Sequence, residues 1–281
     1  WHDGAQSDDA KRGRSRMSAE KEKNNVAVFS AGSLIGALGG LIGLGGAEFR
    51  LPLLIGLFGF GALEAVILNK AMSLIVVATA LPFRAMSVPY ADVLERWDII
   101  VTLLAGSLAG AWYGAGWATK LKSQTLYRVL AVLLVGIAIA LLFGHDANAT
   151  GEPLFHGAAL IMVGVVVGFG IGVVAALMGV AGGELLIPTI VLLFGADIKL
   201  AGSLSLAVSL PTMIVGFTRY SRNQSFSVVR TQRTFILIMA AGSIIGTFIG
   251  GQLLGLISTT YLLPLLAAIL LISSVKVWRH S

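Results

Sequence analysis

GLGGAEFRLP at residues 43–52 returns as GVAGGELLIP at residues 179–188, both inside strongly apolar surroundings. The shift of 136 residues, Gly43 to Gly179, stays in register through most of both copies. It pairs Glu48 with Glu184 and Pro52 with Pro188, and further on it pairs Phe58-Gly59 with Phe194-Gly195. Ala71, Ser73 and Leu74 recur as Ala207, Ser209 and Leu210, and Ala105-Gly106-Ser107 recurs as Ala241-Gly242-Ser243. A doubled interruption of hydrophobic sequence by glycine, an acid and proline is the pattern of a binding site in a transporter built from repeats.

The surroundings fix the solvent. Of 281 residues 56% are hydrophobic and only 12% charged, with a mean hydropathy of +0.88, which excludes a soluble domain. The 35 glycines fit a bundle whose helices approach closely in lipid. No cysteine is present, so disulfide, thiol and sulfur-ligated metal chemistry are excluded. The net charge of +6 resides in arms and loops and not on one face, so it reads as membrane orientation and not as a nucleic-acid surface. Residues 1–25 form a polar arm that we read as disordered; it begins with Trp1 in place of Met, the sequence does not tell whether residues 1–16 are native, and Met17 is a candidate start.

Eight apolar segments occupy roughly 26–60, 64–83, 97–119, 124–143, 157–195, 199–218, 233–256 and 259–278. The first of each half is too long for one span of about 20 residues and is cut by its glycine run, so each is expected to be a broken or re-entrant helix. Arg219, Arg222, Arg230 and Arg233 place the loop 219–233 inside, Lys276 and Arg279 do the same for the C-terminus, and Lys120 and Lys122 for the turn 119–124. The turn at 119–124 and its counterpart 136 residues on then lie on opposite sides, and an inverted repeat follows. The expected organisation is repeat 1 over 26–143, an extracytoplasmic linker over 144–156 and repeat 2 over 157–281, with both termini cytoplasmic.

Each motif has two readings. The glycine runs, with Gly43, Gly45 and Gly46 in the first copy and Gly179, Gly182 and Gly183 in the second, either break the helix and turn the positive end of a half-helix toward an anion, or merely permit close packing; doubling beside an acid and a proline favours the break. Glu48 and Glu184 are ionisable groups at membrane depth, where function is the default, and a carboxyl withdrawn from water favours its neutral form, as proton coupling requires. Both are equally suited to cap the following half-helix. Arg50 stands opposite Leu186 and is either a fixed positive charge for the anion or the mate of Glu48. Ser73 and Ser209 offer matched hydroxyls, against the alternative of bonding back to their own helix. Asn69 and Lys70 are expected at a helix entrance with Lys70 snorkelling outward, and Pro52 and Pro188 in the first turn of the second half-helix. His2, His145, His156 and His280 lie in arms or loops without metal spacing, no catalytic elbow or phosphate loop occurs, and no cofactor is called for.

The doubled glycine-acid-proline segment and the matched Ala-x-Ser-Leu runs at 71–74 and 207–210 resemble the sulfite exporter TauE/SafE family over about 26–278. The resemblance implies a bacterial inner-membrane permease for small sulfur-containing anions such as sulfite, or organosulfonates such as sulfoacetate. The expectation is an all-α polytopic membrane protein, an inverted repeat whose two breaks and Ser-bearing helices enclose one central anion site, working by alternating access with proton coupling through Glu48 or Glu184. A channel using the same break is the alternative, and a membrane-embedded enzyme the more distant rival.

Overall fold

The structure is a computed structural model and describes residues 25–40, 46–85, 90–143, 155–253 and 259–280. Polar groups of the backbone find no partners in lipid, so apolar sequence there becomes helix. All regular structure among the described residues is helical: α1 (Asn25–Gly40), α2 (Ala47–Gly56), α3 (Ala62–Ala85), α4 (Tyr90–Glu95), α5 (Trp97–Ala118) and α6 (Ser123–Phe143) in the first half. The second half carries α7 (Gly157–Met178), α8 (Gly183–Phe194), α9 (Ile198–Tyr220), α10 (Ser227–Thr231), α11 (Arg233–Leu253) and α12 (Thr259–Trp278). Shifting α2 to α6 by 136 residues lands on α8 to α12 with every boundary within two residues. Five of these helices, α3, α5, α7, α9 and α11, contain stretches long and apolar enough to cross a membrane. Large apolar side chains such as Val166, Phe248 and Ile272 face outward, as a lipid-facing surface requires.

The fold is tied together across the halves. Gly106 on α5 lies against Val165 and Phe169 of α7, and Gly242 on α11 lies against Phe29 and Ser33 of α1, the same contact with every number shifted by 136. A Cβ at either glycine would overlap a backbone carbonyl of the facing helix, so only glycine permits this approach. Along the same seam Gly110 meets Phe169 and Val173, which makes α5 and α7 run in the same direction; Gly246 meets Ser33 and Ala37, so α11 and α1 do likewise.

The long apolar segments are interrupted as the glycine runs indicate. α7 ends with Gly179 at φ 69°, α8 starts from Gly182 at φ 83°, and α2 starts from Gly46 at φ 71°, left-handed conformations that glycine adopts without strain. After the interruption α8 doubles back: Gly182 lies against Ile171 and Ala175 of α7, and the ring of Phe194 against Gly164 near the start of α7. Gly46 lies against Ile35 of α1 in the matching way. With 10 and 12 residues, α2 and α8 are too short to cross a bilayer, which takes about 20. The arm at 1–24 and most of the linker at 144–156 lie outside the described residues, as do Gly43 and Gly45.

α9 opens on Asp197, whose carboxylate accepts from the backbone N–H groups of Lys199 at 2.8 Å and Leu200 at 3.4 Å, a cap its sequence counterpart Gly61 cannot supply. There Glu64 reaches back to the Gly61 N–H instead, at 3.3 Å.

Candidate functional site

The polar interior is assembled where the two breaks meet α3. Glu48, Arg50, Asn69 and Lys70 have no exposed surface, and Ser73, Ser209 and Ser243 are buried with them. Arg50, on α2, donates from Nη1 to Asn69 Oδ1 at 3.5 Å and Ser73 Oγ at 3.4 Å on α3, and from Nη2 to Ser243 Oγ at 3.3 Å on α11. All three partners are neutral and all three bonds are longer than the usual 2.9–3.0 Å or so for N–H···O. Its Nε finds no partner, and among the described residues the one ion pair is Arg96 with Asp98. Arg50 is therefore a buried positive charge held by dipoles, and the reading of it as the ion-pair mate of Glu48 is set aside: the acid lies near enough to feel its charge but not within ion-pair distance.

Glu48 and Glu184 occupy the first turns of α2 and α8, where the positive end of a helix favours a carboxylate. Their carboxyl groups lie close enough to influence one another. None of the four carboxyl oxygens receives a hydrogen bond from a donor of the described chain. The N-cap residues are Gly46 and Gly182, so no side chain caps either half-helix.

Pro52 and Pro188 stand inside α2 and α8 and not in the first turn as expected. Each half-helix begins at the residue after its left-handed glycine, so the proline falls a full turn further on. A proline four residues after an acid withholds the N–H that the acid's carbonyl would accept, so the backbone of Glu48 and of Glu184 loses that intrahelical partner.

Asn69 and Lys70 are not at a helix entrance. α3 starts at Ala62, which puts them two turns in and fully buried. The Asn69 amide joins both breaks, donating to Ala47 O and Met178 O, each at 3.0 Å. Lys70 Nζ donates to Ala175 O at 2.9 Å and Val180 O at 3.0 Å, Ser73 Oγ to Gly179 O at 3.4 Å, and Tyr220 OH to Ala176 O at 2.9 Å. The open backbone at the second break is thus satisfied by side chains, as membrane depth demands.

The structure brings Arg50, Ser73, Glu48, Glu184, Gly46, Gly179, Gly182 and Gly183 to one place. Ser209 is buried on α9 but is not among the partners of Arg50. Sequence reasoning missed Asn69 and Ser243 as site residues; the recurrence of Ser107 as Ser243 was the available signal. The two differ in role for a clear reason. Where Ser243 meets Arg50, Ser107 meets no arginine because Leu186 stands there, and it pairs with Thr212 at 2.8 Å instead. Among the described residues no cluster of three or more metal-ligating side chains occurs.

The sequence model of the family Sulfite exporter TauE/SafE matches residues 28–277, nearly all of the chain, and the chain belongs to that family. It is a multi-pass membrane protein of a transporter family. No curated protein and no solved structure matches it.

Proposed function

We propose that this member of the sulfite exporter TauE/SafE family is a secondary transporter of small sulfur-containing anions, sulfite or an organosulfonate such as sulfoacetate, with its binding site centred on Arg50. One observation carries the reading: a fully buried guanidinium whose hydrogen-bond partners among the described residues are all neutral and whose Nε is unused. A guanidinium presents planar paired donors that match a sulfite or sulfonate oxygen pair. Asn69, Ser73 and Ser243 would turn to the same anion, and the left-handed glycines would let backbone N–H groups approach it. Transport, not catalysis, is the reading that family membership supports.

The mechanism is alternating access by two halves of inverted topology, 26–143 and 157–281, joined by an extracytoplasmic linker, in an inner membrane with both termini cytoplasmic. The 136-residue correspondence of elements supports this, together with the hairpins, which leave each half an odd number of crossings. Complete enclosure of Arg50 supports a carrier over a channel, since a channel offers its site to both sides at once. The neighbouring carboxyls of Glu48 and Glu184 support proton coupling: with no donor among the described residues, a proton between them is what lets the pair coexist beside an incoming anion.

The deciding experiment is counterflow in liposomes. Labelled sulfite or sulfoacetate should accumulate transiently against an internal unlabelled pool, and Arg50→Gln should abolish it. Equal accumulation by Arg50→Gln, or linear flux without counterflow, counts against the proposal.

A further inference from the structure

The last carbonyls of a helix carry the negative end of its dipole, about half an elementary charge. At the second break these carbonyls are turned toward α3. Lys70 Nζ lies 2.9 Å from Ala175 O and 3.0 Å from Val180 O, with the Met178 and Gly179 carbonyls held beside it by Asn69 and Ser73. No carboxylate of the described chain lies within ion-pair distance of the ammonium, which has no exposed surface. Gly216 of α9 borders it: a Cβ there would stand at ordinary van der Waals distance, 3.6 Å from Cε and 3.8 Å from Nζ. Unwound carbonyls beside the C-terminal end of a half-helix are the ligand set with which broken-helix transporters hold a monovalent cation.

We propose that Lys70 is a tethered cation, its ammonium filling a carbonyl cage at the second break that would otherwise take a free monovalent cation such as Na+. The coupling chemistry of the anion site, as read above, is then independent of alkali cations. The arrangement is one-sided, because the residue equivalent to Lys70 is Leu206. Removing the ammonium while leaving the carbonyls opens a site sized for Na+, K+ or methylammonium.

The test is thermal stability of the purified full chain, without any anion substrate beyond chloride. It compares NaCl, KCl and methylammonium chloride with choline chloride at constant ionic strength. Wild type should show the same midpoint in all four salts. Lys70→Ala should be lowered in choline and recover saturably with one of the small cations, by about 2–3 °C at tenfold excess over its dissociation constant. Lys70→Met, which keeps the stem's bulk and fills the cage, should be lowered without recovery. A folded Lys70→Ala that does not respond, or responds no more than wild type, overturns the proposal. If neither variant folds, the wild-type arm decides: a midpoint equal in all four salts upholds the proposal, and a sodium-dependent midpoint overturns it. The readout contains no transported anion, so its failure leaves the Arg50 reading standing, and failure of anion binding leaves the cation result standing.

Discussion

Arg50 and Ser243 meet at 3.3 Å across 193 residues of chain, joining the broken segment of one half to α11 of the other. The equivalent pair in the second copy, Leu186 and Ser107, makes no such bond, because leucine has nothing to donate. The bundle is doubled in backbone but single in this buried guanidinium, which belongs to one break.

Loss of the charge and loss of the hydroxyl should therefore differ in size. Arg50→Gln should abolish sulfite or sulfonate binding. Ser243→Ala removes one neutral partner worth about 1 kcal/mol, so affinity should fall about fivefold. Calorimetric titration of the purified protein checks both, and an undiminished affinity in Arg50→Gln would remove the site from Arg50.

The two carboxyl groups predict an uncommon result. In Glu48→Gln or Glu184→Gln the new amide donates to the remaining carboxylate, so the pair no longer needs a proton. Each variant should fold at least as well as wild type, yet uptake into liposomes should lose its dependence on pH between about 5 and 8. Glu184→Ala, which supplies no donor, should be less stable than Glu184→Gln by about 1–3 kcal/mol. A pH dependence left intact in both glutamine variants would deny the pair its role.

The interlocked seams should be equally sensitive at matched positions. At Gly36 and Gly172 a Cβ would overlap the carbonyls of Ser243 and Ser107. Alanine at either should lower stability by about 1–3 kcal/mol. At Gly136 a Cβ would meet nothing within 4 Å, and there alanine should be neutral or stabilising by up to about 1 kcal/mol through helix propensity. Thermal midpoints in detergent compare the three substitutions directly.

Topology is open to chemistry because the chain contains no cysteine. Single cysteines at the first residues of α6 and α12, Ser123 and Thr259, are equivalent by the 136-residue shift. A membrane-impermeant thiol reagent should reach them from opposite sides of oriented vesicles, and labelling from one side for both would contradict inverted topology.

What could be read beforehand was what repeats. The glycine runs, the apolar spans and the acids occur twice, and their doubling gave register, breaks and membrane class before any coordinate. Singular features were harder. Asn69 and Lys70 are polar residues inside the apolar run 64–83, and polarity alone suggests a helix entrance; they lie two turns inside α3 because buried carbonyls across the break compensate both side chains. The prolines were assigned by the general preference for the first turn, whereas here a left-handed glycine sets the start and the acid takes that turn. Contacts such as Arg50 with Ser243 or Lys70 with Val180 join distant parts of the chain, and no local pattern encodes them.

The crossed seams, α5 on α7 and α11 on α1, have an implication for assembly. Each half seats its most glycine-rich ridge on the other half, so neither is self-sufficient as a folding unit. A half-length chain with the same ridges would meet these contacts only by pairing with a second copy, each ridge on the other's first helix, in a closed two-fold arrangement. Two identical copies could not differ at these positions, so Arg50 opposite Leu186 and Lys70 opposite Leu206 are an asymmetry that only a single joined chain can hold.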